Sequence, residues 1–117
     1  MGSSLKWRVI RDGLYSGAHN MALDHALAVC SQQSQGVLRL YSWKEATVSL
    51  GRNEPARGLY DRTNADELGI EFVRRPTGGR AVLHQNEVTY AIVAPVRALG
   101  GPRASYMAIN RGLAEGL

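Results

Sequence analysis

Strand-like and helix-like spacings of apolar residues alternate along this chain. Over residues 7–14, Val9 and Ile10 sit among Arg8, Arg11 and Asp12, which predicts a strand; Gly13 marks an irregularity in it and Ser16-Gly17 breaks it. The period then turns helical from Asn20 to about Gln33. Leu23, Ala26, Leu27 and Cys30 share a face, Asn20 is a candidate cap, Asp24 suits the positive end of the helix dipole, and Gly36 suits a stop. Residues 37–41 and 47–50 are short β-prone runs, the second alternating Val48 and Leu50 with Thr47 and Ser49. A loop with Pro55 follows over residues 51–58, then a short helix over 61–68 that ends at Gly69. Residues 70–75 predict a strand halted by Pro76, Thr77-Gly78-Gly79 a turn, residues 80–84 a resumed extended chain, and residues 88–94 a strongly apolar strand ended by Pro95. After Gly100-Gly101-Pro102, Ser105 is the candidate cap of a last helix carrying Tyr106, Ile109, Leu113 and Leu117 at helical spacing.

The order is β-α-β-β-α-β-β-β-α. Consecutive strands joined by short turns argue for an α+β fold, a mixed and largely antiparallel sheet with helices on a face, and against a doubly wound parallel sheet. The 117 residues suffice for one small domain, without repeat, low-complexity tract or linker.

Composition changes this picture little. The chain is 44% hydrophobic and 21% charged, ordinary for a globular protein. No apolar run approaches a membrane span or a signal-peptide core, so no membrane association and a cytoplasmic location are expected. The lone cysteine, Cys30, rules out a disulfide or a cysteine-based zinc site within one chain, and the three histidines are too far apart in this reading for a metal site. Net charge is +4, and among the 14 basic residues only Lys6 and Lys44 are lysines. The arginines are scattered rather than blocked, so no nucleic-acid partner is expected.

The densest chemistry lies in Arg74-Arg75-Pro76-Thr77-Gly78-Gly79-Arg80-Ala81-Val82-Leu83-His84. Adjacent glycines let a ligand approach the backbone closely and permit positive φ, and their N–H groups can be aimed at a carbonyl or phosphate oxygen. Thr77 adds a hydroxyl, Arg75 and Arg80 can pair with an anion, and His84 can donate or accept a proton. A plain β-hairpin with exposed arginines accounts for the same residues equally well. Neither a Walker A loop nor a dinucleotide-binding pattern fits, because both need a helix opening directly after the glycines.

This segment resembles the signature of the biotin/lipoate protein ligase superfamily, and most closely its lipoyl and octanoyl transfer branch. Other segments agree in order: Asn20-Met21-Ala22-Leu23-Asp24, Leu38-Arg39-Leu40-Tyr41-Ser42-Trp43, Thr47-Val48-Ser49-Leu50-Gly51-Arg52, Glu87-Val88-Thr89-Tyr90, and residues 105–117. The resemblance covers residues 7–117. It implies a domain similar to the class II aminoacyl-tRNA synthetase catalytic core, in which Arg75, Thr77, Gly78, Gly79, Arg80 and His84 surround an octanoyl or lipoyl group; Arg52 and Tyr41 are weaker candidates near the same pocket.

Pro76-Thr77 and Arg80 look more like an octanoyltransferase, which passes octanoate from acyl carrier protein through a cysteine thioester to a lipoyl domain or a glycine-cleavage H-type acceptor. The alternatives are a lipoate ligase, which alone would call for ATP and magnesium, and a non-catalytic acyl-binding subunit of the same fold. No covalently bound cofactor is implied. The family's cysteine and lysine lie beyond the matched segment, so residues 1–117 are expected to be the N-terminal part of a single catalytic domain without its catalytic residue, which a second chain could complete. Cys30, on the apolar face of the first helix, is expected to be a buried small hydrophobe rather than a nucleophile. Three positions depart from the family pattern: His19, His25, and Gln85, which stands where an aspartate would orient His84.

Overall fold

The computed structural model describes residues 5–32 and 34–116. The strands are β1 (Lys6–Tyr15), β2 (Gln35–Trp43), β3 (Thr47–Leu50), β4 (Glu71–Arg74), β5 (Val82–His84) and β6 (Thr89–Val93); the helices are α1 (Gly17–Val29), α2 (Arg62–Glu67) and α3 (Pro102–Gly116), with a single 3-10 turn at Val96–Leu99. The element order is the one the periodicities imply, and the mixed α+β class holds. The strands form two three-stranded sheets rather than one, ordered β1-β2-β6 and β4-β3-β5. In each, the central strand pairs in parallel with one neighbour and antiparallel with the other. The register of β1 on β2 shifts between Arg11 and Leu14, at the irregularity marked by Gly13.

Helix α1 bridges the sheets, packing on β2 and β6 of the first and β4 of the second. It begins earlier than the expected Asn20 cap: Ser16 caps it by accepting from the His19 N–H at 3.1 Å. Its buried residues are Gly17, Asn20 and Met21, so the inward face is not the Leu23-Ala26-Leu27-Cys30 stripe; Leu23 and Leu27 are half-buried and Ala26 is exposed. The reason is Arg39 on β2, fully buried, which draws the polar residues of α1 inward. Its guanidinium donates to the backbone oxygen of Asn20 (3.1 Å), to Asn20 Oδ1 (2.7 Å), to Asp24 (2.8 Å) and to Asp12 (2.7 Å). Cys30 is therefore no core residue. It is exposed and caps the helix end, its N–H donating to the Ala26 carbonyl at 2.9 Å.

The core between the sheets is small: Met21, Tyr41 and Trp43, with Val73 and Ala91 packed against it. On the opposite face of the first sheet, Trp7, Val9, Leu38 and Ile92 line a second apolar cleft with Ile109 and Leu113 of α3. Ser105 does not cap α3; it lies inside the helix, its hydroxyl donating to the Gly101 carbonyl at 2.6 Å, and Pro102 opens the helix instead. Tyr106 is largely exposed, and Leu117 lies outside the described residues. Helix α2 starts at its Asp61 cap, which accepts from the Asn64 N–H at 3.0 Å.

Candidate acyl-binding site

Strands β4 and β5 do not pair with each other; they flank β3 on opposite sides. The segment joining them, with the glycine pair, is therefore not a hairpin but a strap across the end of β3. Arg52 N–H donates to the Thr77 carbonyl at 2.8 Å and Arg75 N–H to the Leu50 carbonyl at 2.8 Å. The strap lies so close to β3 that a Cβ on Gly51 would sit 1.8 Å from the Gly79 carbonyl oxygen. Gly79 itself has φ +101°, a conformation glycine adopts without strain. Arg74 braces the adjoining loop by donating to the carbonyls of Gly51 (2.6 Å) and Glu54 (2.8 Å), and the Glu54 carboxylate accepts the Ala81 N–H at 2.9 Å.

Arg75 folds back into this strap. One of its terminal nitrogens donates to the Ser49 carbonyl and to Ser49 Oγ, both at 2.7 Å; the other donates to the carbonyls of Gly78 (3.0 Å) and Arg80 (2.9 Å). The side chain expected to pair with an anion thus spends four hydrogen bonds shaping the turn. Among the described residues, no protein acceptor meets the N–H groups of Thr77, Gly78, Gly79 or Arg80, which leaves backbone donors for a ligand oxygen.

His84 ends β5 and is buried. Its ring stacks on Trp43 with centroids 4.2 Å apart, joining the two sheets. Its Nε2 lies 2.7 Å from Ser49 Oγ and its Nδ1 3.1 Å from Glu87. Glu87 thus does the orienting that Gln85, exposed, does not. Thr89 donates to the same Glu87 oxygen at 2.7 Å and accepts from Trp43 Nε1 at 2.8 Å. Burial works to raise the Glu87 carboxyl, but the hydrogen bonds from Thr89 and His84 outweigh it and hold the group below its ordinary value.

These elements enclose a cleft of about 800 Å³. Arg75, Thr77 and His84 line one end, Met21, Tyr41 and β6 residues such as Ala91 and Val93 the rest. The walls are mostly apolar, with Arg75, Thr77 and His84 at the strap end and further polar groups at Asp24, Ser31 and Thr89, which suits a hydrocarbon chain carrying a polar end. Of the residues expected from sequence, Gly78, Gly79 and Arg80 form the exposed outer part of the strap, and Arg52 is exposed beside it. Tyr41 does face the cleft. Its hydroxyl donates to Asp24 at 2.8 Å, and Arg39 lies over its ring at 3.8 Å. Burial, then the neighbouring Asp24 carboxylate, push that hydroxyl well above its ordinary range.

The sequence reading missed Ser49, Gly51, Arg74 and Glu87. The alternation of β3 gave no signal for Ser49, because its polar members, Thr47 and Ser49, are the fully buried ones. His19, the other departure near the site, stacks on Tyr15 with centroids 4.3 Å apart.

Comparison with known proteins agrees with this fold. Residues 16–117 match the lipoyl protein ligase A/B catalytic domain family. The octanoyltransferase LipM of Carboxydothermus hydrogenoformans is 45% identical over 116 residues, which are 95% of this chain and 43% of that protein. A T. acidophilum protein described as a lipoate protein ligase, solved with bound lipoic acid, superposes with a TM-score of 0.67 at 25% identity, covering 77% of this chain and 38% of that one. A bi-partite lipoate protein ligase from Thermoplasma acidophilum, studied with its E2 lipoyl domain, gives 0.68 at 25% identity over 77% of this chain and 36% of that one. The chain spans about two-fifths of the length of the curated relatives it matches. The match covers most of the chain, and the chain belongs to the lipoyl protein ligase A/B catalytic domain family.

Proposed function

We propose that the protein is an octanoyltransferase of protein lipoylation and that this chain supplies its acyl-binding site. The octanoyl chain lies in the apolar cleft between α1 and β6. Its carbonyl end meets the strap formed by Arg75, Thr77, Gly78, Gly79 and Arg80, with His84 in the wall. The donor is octanoyl-[acyl carrier protein] and the acceptor is a lysine of a lipoyl domain or an H-type protein. The acyl group moves from a thioester to an amine and the carrier thiol leaves, so neither ATP nor magnesium is needed. No residue of this chain is assigned the nucleophile.

The observation that carries this reading is the cleft: mostly apolar, about 800 Å³, with Arg75, Thr77 and His84 gathered at one end. The identity to an octanoyltransferase supports the transferase over the ligase reading. The test is to incubate the intact protein with octanoyl-[acyl carrier protein] and a lipoyl domain and weigh the acceptor. Gain of one octanoyl group without ATP is expected. Modification only with free lipoate plus ATP would replace this reading with the ligase one, and an unmodified acceptor under both conditions would leave a binding subunit.

A further inference from the structure

The hydrogen bonds around His84 form a chain whose polarity is fixed at both ends. A guanidinium only donates, so Ser49 Oγ accepts from Arg75 at 2.7 Å. The hydroxyl proton of Ser49 must then find its own acceptor. Ser49 is fully buried, and the remaining neighbour of its hydroxyl is His84 Nε2 at 2.7 Å. Were Nε2 protonated, the Ser49 proton would be left buried and unpaired, a state that costs about 1–3 kcal/mol. From the far end, the Trp43 indole only donates, so Thr89 Oγ1 accepts from it at 2.8 Å and passes its own proton to Glu87 at 2.7 Å. Glu87, as a carboxylate, accepts again from His84 Nδ1 at 3.1 Å. Both directions require the imidazole proton on Nδ1.

We propose that Ser49 is a positioning residue for the acyl site: by accepting from Arg75 and donating to His84 Nε2, it holds His84 in the Nδ1–H tautomer and locks the arginine that shapes the glycine strap. Both ring nitrogens are engaged by protein, so His84 serves as a fixed wall rather than as a proton carrier. Arg75 directly follows β4 and His84 ends β5, on opposite sides of β3, and Ser49 on β3 bridges them. Nothing in the apolar pattern of the chain marks this serine apart from any other polar residue in a strand.

The inference rests on the acyl-site reading for its functional half, and the tautomer half stands independently of it. The test is nitrogen NMR of His84 in the intact protein, with octanoyl transfer measured alongside on the wild type, Ser49→Ala and Ser49→Thr. A wild-type spectrum of a single neutral tautomer protonated at Nδ1 is expected. In Ser49→Ala that signature gives way to mixed tautomers, and the KM for the acyl donor rises about tenfold while kcat changes less, the scale of one lost buried hydrogen bond. Ser49→Thr, which keeps the hydroxyl on a strand-compatible side chain, restores both. Should the threonine methyl not fit, Glu87→Gln is the second probe: its amide can donate to Nδ1 and so scrambles the tautomer without touching Ser49. Protonation at Nε2 in the wild type overturns the proposal, as does a Ser49→Ala protein with unchanged tautomer and unchanged KM. Absence of any octanoyl transfer with the Nδ1–H tautomer intact overturns the function reading and leaves the relay standing.

Discussion

Two buried polar networks flank the cleft and are built on different principles. On the side of the first sheet, Arg39 is held by Asp12, Asp24 and Asn20, a cluster of full charges tying β1, α1 and β2 together. On the side of the second sheet, the chain from Arg75 through Ser49, His84 and Glu87 to Thr89 and Trp43 runs mostly over hydroxyls and an imidazole. Charges out of water must stay paired, so the first network is a lock on the fold. Neutral groups tolerate small rearrangements at modest cost, so the second sets geometry at the strap. Cutting the first should cost stability above all, and cutting the second should cost binding above all.

Arg39→Met breaks this comparison most forcefully if it is wrong. It fills similar volume but leaves Asp24 and Asp12, 13% and 18% exposed, without their cation. A loss of about 3–5 kcal/mol is expected, the scale seen when one partner of a buried ion pair is removed. The urea midpoint of the intact protein measures it. Adding Asp12→Asn and Asp24→Asn to the same variant should recover part of the loss; no recovery would mean that shape rather than charge holds α1 on the sheet.

Gly51→Ala is next in size and acts on the other side. The added methyl would meet the Gly79 carbonyl at 1.8 Å, and the obstacle is backbone. The strap must lift off β3, at a cost of about 1–3 kcal/mol as for other overpacked sites. Hydrogen exchange should quicken at the N–H groups of Arg52 and Arg75, which bond across this contact, and not at those of α1. Equal quickening in both places would merge the two networks into one cooperative unit.

The sequence made the elements legible because their order and type follow from local spacing: every strand and helix lies near its expected position. The signature strap was legible through its family resemblance, because its chemistry alone suited a plain hairpin equally well. What local spacing could not reveal is which face turns inward. The apolar stripe on α1 lost to Asn20 and Asp24 because an arginine on a strand distant in sequence needed partners, and that pairing is a property of the fold. In the same way Ser49, a partner of Arg75, is buried while Val48 is only half-buried. The hairpin alternative failed similarly: Pro76 and the glycines say that the chain turns, and only β3, passing between β4 and β5, says how widely.

Titration should separate the two networks with the smallest effects and the cleanest signs. Glu87 has its carboxyl lowered from 4.5, so the folded state binds its proton less tightly than the unfolded chain. Its contribution is complete above that ordinary value and drains away as pH falls through the lower folded one. Tyr41 runs the other way. Its hydroxyl is raised from 10.0, so the folded state keeps a proton that the unfolded chain gives up, and its contribution is complete below pH 10 and drains away above it. Acid therefore strains the relay and alkali the Arg39 cluster. Measured as stability against pH, Glu87→Gln should flatten the acid limb and leave the alkaline limb alone, while Tyr41→Phe should do the reverse. Glu87 is 35% exposed, so solvent screens its part and the acid change should be the lesser of the two. If either variant moved both limbs together, the networks would be coupled through Trp43, which touches Tyr41 on one side and His84 on the other, and the division between lock and positioning device would have to be redrawn around that ring.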